Sequence, residues 1–532
     1  MTSVTQMHWG DRVIRRDGSG PPFLVYEHRL RNLDEILAHG ARWGGREYLV
    51  HGNRRLRYDE LICGVDAASG ELRRHGVAPG DRVLLLGGNS ISWVVSFWAA
   101  IRLGAVPVLG NGWWNGPEVA HAVRLVEPAL VLAARPRLGH VIGVKALDLA
   151  TFDARTGRPC DPAAAGAQER APYPHEDEAA VILFTSGSTG LPKGAVLSHR
   201  ALIAGQHTAL HLTRKLPHQL NDDHPAEITL QSGPVFHVGG LLTLLRSWLL
   251  GGTVVFQRDR FDPAEVVDLI EREGVHRWGG VPTMVRRVLE LPGIERRDLR
   301  SVRALTLGGA AVPAELLERI PERFPNAARG TSEIYGQSEA GGTLAAASAR
   351  DLTERPGTVG RPFPVVELRI DGAGPDGVGE IVARTPAQMS GYWRQSEDDP
   401  FTSDGWLCTG DLGRLDEDGY LYLTGRSKDV IIRGGENIAA PLVEATLFDH
   451  PAVREAAVVG LPDPDLGEIV AAAVVVGADR PVDADELAAF TRNHLAYFAV
   501  PQRWWIRTDS LPVNDAGKVD KRALRASFPG GS

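Results

Sequence analysis

Six consecutive residues, Thr185-Ser186-Gly187-Ser188-Thr189-Gly190, carry only hydroxyls or glycine, and Lys193 follows between Pro192 and Gly194. The apolar run Val181-Ile-Leu-Phe184 leads straight into them, which reads as a buried strand ending in a loop. Glycines let backbone N–H groups converge on an anion, hydroxyls add donors, and a lysine adds a point charge. The combination is that of a phosphate cradle. It is not a Walker loop, whose Gly-x-x-x-x-Gly-Lys-Ser/Thr places the lysine at the start of a helix. Here Lys193 stands three residues beyond Gly190 and a glycine follows it. An ordinary surface turn has no need of so many donors directly after a buried strand.

Other polar clusters carry less. His218, Asp222, Asp223 and His224 lie in the segment LPHQLNDDHPAEI, without a standard ligand spacing, so they read as a solvated loop rather than a metal site. Cys63, Cys160 and Cys408 form no CxxC pair and read as isolated reduced thiols.

The phosphate loop needs a frame. Short apolar runs alternate with stretches of helical period: strands at 81–88, 105–110, 130–134, 180–186, 253–257 and 303–309, with helices at 91–103 and from Pro117. This predicts α/β layers with parallel sheets. After about residue 360, VVELRI, GEIVAR and GYLYLTGR between Gly/Asp turns predict a small β-rich subdomain. In the last hundred residues, the strands REAAVVGLPD, EIVAAAVVV and WWIRT flank a helix opened by Asp483 and Glu486, which predicts a separate α+β unit.

Composition narrows the classes. The 532 residues are 43% apolar and 23% charged, ordinary for a globular protein, and 60 glycines fit many tight turns. A net charge of −8 argues against a general nucleic-acid binder. Arg102 and Arg246 interrupt the longest apolar stretches, so no membrane span is expected. The opening MTSVTQMHWGDRVIRRDG has no apolar core of signal-peptide length, and the chain is read as cytoplasmic.

Phe184-Thr-Ser-Gly-Ser-Thr-Gly-Leu-Pro-Lys-Gly194 resembles, almost letter for letter, the phosphate loop of the adenylate-forming enzymes. That family includes acyl-CoA synthetases, aryl-CoA ligases, firefly luciferase and nonribosomal adenylation domains. Seven further segments follow in the family's order, over about residues 25 to 525. Phe236-His237-Val238-Gly239-Gly240 resembles the aromatic/His segment of the acyl pocket. Leu307-Gly308-Gly309-Ala310-Ala311 is similar to the turn that holds adenine. Tyr335-Gly336-Gln337-Ser338-Glu339 resembles the segment whose tyrosine stacks on adenine and whose glutamate helps hold magnesium. Trp406 to Asp411 resembles the segment whose aspartate binds the ribose. Gly425-Arg426-Ser-Lys428-Asp429 is similar to the hinge, Gly434-Gly435-Glu436-Asn437-Ile438 to the pantetheine passage, and Asn514 to Val519 to the segment of the catalytic lysine, here Lys518.

The resemblance implies a large N-terminal adenylation domain, residues 1–425, and a small mobile C-terminal domain, residues 426–532, hinged near Lys428. It implies ATP bound through Thr185 to Gly190, Lys193, Gly309, Ala310, Tyr335, Gly336, Gln337, Ser338, Asp411 and Arg426. Mg2+ would sit on Glu339, with Thr185 as a second donor. Lys518, Glu339 and His237 would act in catalysis. Val235, Phe236, His237, Gly239, Gly240, Gly341 and Gly342 would line the acyl pocket, with 281–284 beside them, the glycines leaving room for an extended chain or an aromatic ring. Gly434, Gly435 and Glu436 would border the coenzyme A passage. Trp113 and Trp114 could form a lid, but are expected to be core aromatics.

The implied reaction joins two anions, so positioned cations rather than a side-chain nucleophile are what it needs. A carboxylate attacks the α-phosphate of ATP, pyrophosphate leaves, and the thiol of coenzyme A then displaces AMP. A carrier-protein phosphopantetheine, or a nitrogen nucleophile or nitrite, is the alternative acceptor. The run Ala439-Ala440-Pro441 departs from the family at the coenzyme A passage. A catalytically silent binding protein would not need Lys193, Glu339, Asp411 and Lys518 together.

Overall fold

Apolar runs without polar alternation form strands covered on both faces. The computed structural model describes residues 9–16, 22–153, 174–185, 192–213, 215–258, 260–310, 312–394, 399–426, 430–433, 436–477, 480–515 and 517–529. Among them, Arg82–Gly87 lies inside a six-stranded sheet. Its order is Lys193–Ser198, Ala179–Thr185, Val106–Asn111, Arg82–Gly87, Leu130–Ala133, Ala146–Asp148. All pairings are parallel except that of the first two strands, which form an antiparallel pair on either side of the expected phosphate loop. Helix Ile91–Leu103 starts where Ser90 Oγ accepts the Trp93 N–H at 3.2 Å. Helix Gly116–Val126 starts at a reciprocal cap between Asn115 and Glu118.

The arginines that break the apolar stretches are neutralised. Arg102 donates to Asp34 and Asp66, each at 2.7 Å, and Arg246 donates to Glu227 at 2.7 Å. A buried guanidinium without such partners would be strongly destabilising. No helix among the described residues is long and apolar enough to cross a membrane.

A second hydrogen-bonded path runs through thirteen strands. Its middle is parallel: Thr253–Phe256, Ile228–Gln231, Arg277–Gly280, Ala304–Gly308 and Thr331–Gln337. It continues antiparallel through Gly342–Ser348, Thr358–Pro362, Leu421–Arg426, Leu407–Leu415, Gly379–Arg384 and Glu367–Asp371. The β-rich part expected after residue 360 is therefore an extension of this path. One backbone frame connects Tyr335 to Asp411 and Arg426.

The C-terminal residues build their own sheet, in the order Glu436–Ala439, Val430–Arg433, Gly467–Val476, Val453–Asp463, with Arg503–Arg507 also pairing Gly467–Val476. Helices Ala440–Phe448 and Ala484–His494 cover one apolar cluster, and Leu511, Leu524 and Phe528 belong to another. Asp483 caps the second helix by accepting the Glu486 N–H at 2.9 Å. One cysteine departs from the expectation of reduced thiols. Cys408 is a free thiol, Cys63 is disulfide-bonded, and Cys160 lies outside the described residues.

Candidate active site

The antiparallel register sets Lys193 opposite Thr185 at the mouth of the phosphate loop. Ser186, Gly187, Ser188, Thr189 and Gly190 lie outside the described residues. Lys193 is buried, with its Nζ 5.2 Å from the centre of the Tyr392 ring. The Tyr392 hydroxyl donates to Glu339 Oε1 at 3.1 Å. Tyr392 thus links the loop lysine to the candidate magnesium ligand.

Glu339 sits in the short turn Ser338–Ala340 that ends the strand Thr331–Gln337. Its other carboxylate oxygen and the Thr185 hydroxyl are hard oxygen donors. Such donors suit Mg2+, which keeps waters and substrate phosphates as its remaining ligands. Among the described residues no three His, Cys, Asp or Glu side chains form a metal cage. That includes the 216–228 segment, where Asp222 instead pairs with Arg42 at 2.9 Å.

Tyr335, on the same strand, is buried and donates its hydroxyl to Asp411 Oδ2 at 2.8 Å. Arg426 Nε donates to Asp411 Oδ1 at 2.9 Å, and the two residues are register partners in the ladder. Each carboxylate oxygen has two lone pairs, so Asp411 keeps acceptor capacity for further hydroxyls. Gly336 has no space for a side chain, since a Cβ would lie 1.8 Å from the Gly342 carbonyl oxygen. Gln337 and Ser338 follow directly, at the strand end and in the turn.

Gly309 and Ala310 follow the strand Ala304–Gly308. Gly309 has φ +79°, and a Cβ on it would lie 2.8 Å from Lys518 Cε. Lys518 therefore lies along bare backbone at the end of this strand. Its turn is self-braced: the Asn514 N–H donates to the Lys518 carbonyl at 2.7 Å, and the Lys518 N–H to Asn514 Oδ1 at 3.1 Å. Burial lowers the Lys518 ammonium from its ordinary value and Arg426 pushes the same way, while Asp411 and Glu339 oppose the shift.

His237 stands at the N-terminus of helix Val238–Leu250. Burial pushes its imidazole down to about 4, nearby Lys518 acts in the same direction, and Asp515 opposes. The ring is neutral at pH 7. Its Nε2 is buried and has no hydrogen-bond partner among the described residues. Val235 and Phe236 are buried beside it, and the Phe236 ring meets Trp113 edge to face at 5.3 Å. Trp114 is a core residue against Phe184, as expected, whereas Trp113 is half-buried and belongs to this aromatic wall.

The glycines correct one expectation. Only Gly239 faces open space. A Cβ on Gly240 would lie 2.3 Å from the Pro234 carbonyl, on Gly341 2.0 Å from the Ala387 carbonyl, and on Gly342 2.6 Å from Leu242 Cδ1. These three permit close packing of backbone and side chain rather than leaving an open slot. Lys428, expected at the hinge, and Gly434 and Gly435, expected at the passage, lie outside the described residues, and Glu436 is paired with Arg433 in a β-ladder.

Sequence reasoning missed Tyr392, Trp113 as a wall, and Glu333. Glu333 has the same strand phase as Tyr335, and burial pushes its carboxyl up to about 8. A lone acidic residue in a strand's buried phase was its visible signal.

Residues 37–393 match the family model of the AMP-binding enzyme, and residues 442–518 match that of the AMP-binding enzyme C-terminal domain. A feruloyl-CoA synthase of Amycolatopsis sp is 36% identical over 497 residues, covering 90% of this chain and 95% of that one. The structure of ATP-bound MatB from Rhodopseudomonas palustris superposes with a TM-score of 0.80 at 26% identity, over 93% of this chain and 99% of the other. The amide bond synthetase McbA from Marinactinospora thermotolerans gives a TM-score of 0.77 at 31% identity, over 93% and 100%.

Proposed function

The chain belongs to the AMP-binding enzymes, and on that premise we propose that it activates a carboxylic acid with ATP and passes the acyl group to coenzyme A. The observation that carries this reading is the placement of Lys518. It lies half-buried along Gly309, with Asp411 and Glu339 as the carboxylates acting on its charge.

In the first step a carboxylate oxygen bonds to the α-phosphorus and the bond to the bridging oxygen of pyrophosphate breaks. Lys518 supplies positive charge where negative charge gathers. The neutral His237 directs its orphaned Nε2 to the carboxylate as an N–H donor. Asp411 accepts from the ribose hydroxyls while Tyr335 and Arg426 fix its orientation. Lys193 and the loop Thr185 to Gly190 hold the outer phosphates, and Gly309, Ala310 and Gly336 to Ser338 border the adenine. Mg2+ on Glu339 and Thr185 would offset phosphate charge.

In the second step the coenzyme A sulfur bonds to the acyl carbon, the carbon–oxygen bond to AMP breaks, and the thiol proton leaves to solvent. We assign the mobile part to the residues beyond Arg426, which still ends a strand of the large sheet, hinged at Lys428, with thiol entry past Gly434, Gly435 and Glu436. The acid is assigned to a compact aromatic class. Supporting this are the Trp113–Phe236 wall, the backbone that closes around Gly341 and Gly342, and the likeness to a feruloyl-CoA synthase.

The test is a panel of short, long-chain and aryl acids with purified protein, reading pyrophosphate and AMP. Aryl-acid-dependent pyrophosphate release, with AMP release that needs coenzyme A, is the expected result. ADP formation would refute the reaction class. A second reading, transfer to an amine, is favoured by the likeness to an amide bond synthetase and by the apolar run Ala439-Ala440-Pro441. AMP release driven by amines but not by coenzyme A would select it.

A further inference from the structure

The turn that carries Lys518 is held against the large domain by side chains outside the nucleotide site. Asn111 ends the strand Val106–Asn111, and its Nδ2 donates to Asp515 Oδ2 at 2.7 Å. Arg260 reaches the other oxygen of Asp515 at 3.6 Å. Thr283 Oγ1 donates to the Gly517 carbonyl at 2.9 Å. These three contacts bracket Lys518 on its N-terminal side.

The same residues touch the acyl wall. Asn111 Oδ1 accepts the Trp113 N–H at 2.8 Å, so one amide side chain is anchored to the large domain while its N–H grips the small one. The Arg260 guanidinium lies 5.3 Å from the centre of the Trp113 ring, which also meets Phe236. We propose that Asn111, with Arg260 and Thr283, latches Asp515 and Gly517 so that Lys518 is held in its adenylation position, and that Trp113 ties this latch to the acyl pocket.

This rests on the assignment of Lys518 to the first step. The latch residues are positioning residues: they touch the turn, not the reactants. Asn111–Asp515 is the strongest member, because it is short, partly buried and charge-assisted, whereas the exposed Arg260 pair is long and screened. When the small domain turns away for thiol transfer, these bonds must break, so the latch favours one half-reaction only.

The experiment compares acid-dependent pyrophosphate exchange with thioester formation from chemically prepared acyl-adenylate and coenzyme A. Asp515→Ala is expected to slow exchange on the order of tenfold, the worth of one charge-assisted hydrogen bond, and to leave thioester formation unchanged or faster. Asn111→Ala is expected to do the same, the double variant to be no worse than either, and Asp515→Asn, which keeps an acceptor oxygen, to recover part of the loss. Amide hydrogen exchange over residues 513–519 is expected to quicken in Asp515→Ala whatever acid is supplied. Equal loss of both half-reactions, or unchanged exchange and unchanged amide protection, would overturn the latch. A wild type that neither exchanges nor responds to Lys518→Ala, yet shows the quickened amide exchange, would overturn the reaction assignment and leave the latch standing.

Discussion

The two sides of the candidate site are built by different means. On one side, Tyr335, Asp411 and Arg426 stand on strands of a single hydrogen-bonded path, and the Asp411–Arg426 bond repeats the register of the ladder. Their geometry is fixed by backbone pairing. On the other side, Lys518 comes from a separate unit and is held by a few side-chain contacts and by the bare backbone of Gly309. A two-step reaction needs this asymmetry. On the proposed reading, the acceptor for the nucleotide persists through both steps, whereas the cation that serves the first leaves room for the thiol in the second.

Removing Lys518, the cation proposed to move between the steps, is expected to have the largest effect. Lys518→Ala should lower acid-dependent pyrophosphate exchange on the order of 10² to 10³-fold, the scale of losing a preorganised charge. Thioester formation from supplied acyl-adenylate should stay near wild type. Equal losses would erase the distinction between the two sides. Asp411→Asn probes the fixed side. It should raise the KM for ATP about tenfold or more, in both adenylation and nucleotide binding, because a charged acceptor to hydroxyls is worth about 1.5–3 kcal/mol. An effect confined to one half-reaction would contradict a permanent nucleotide frame.

A third measurement sharpens the comparison through pH. Lys518 is a cation whose proton affinity is lowered, so the alkaline fall of adenylation should be centred below the ordinary lysine value of 10.5. His237 changes charge only near pH 4, so the profile should lack a histidine limb near 6.5. Gly309→Ala should shift Lys518 and cost adenylation several-fold, since the new Cβ would meet Cε at 2.8 Å. Rates across pH 5 to 10 for wild type and Gly309→Ala check both expectations.

Much of this frame was legible in the chain. Runs such as Arg82–Gly87 and Val106–Asn111 are apolar without alternation because both faces are covered, and such runs announce parallel strands. Caps at Asn115 and Asp483 are local, set by side chains three residues from their targets. The pocket was less readable. Glycine in a sequence does not say which neighbour fills the space beside it; at Gly240 and Gly341 that neighbour is a carbonyl from a distant turn or an adjoining one. Contacts such as Asn111–Asp515, 404 residues apart, leave no periodic trace at all. Glu333, by contrast, stands in the buried phase of its own strand, a local signal that the chain does carry.

Glu333 supplies the smallest expected effect, and one located on the fixed side alone. Burial raises its folded value to about 8, above an ordinary 4.5, so the folded protein binds the proton more tightly than the unfolded chain. Its contribution is therefore most favourable below pH 4.5, declines as pH rises between 4.5 and about 8, and is flat beyond. Glu333→Gln keeps the shape and a polar end but does not titrate. The melting temperature of the variant should match wild type near pH 5 and exceed it by a few degrees near pH 8.5. Because the strand Thr331–Gln337 lies in the large domain's ladder, this difference should persist when Asp515→Ala has loosened the small domain. If it instead disappears in that background, the two sides of the site are mechanically one, and the separation of a fixed acceptor from a mobile cation fails.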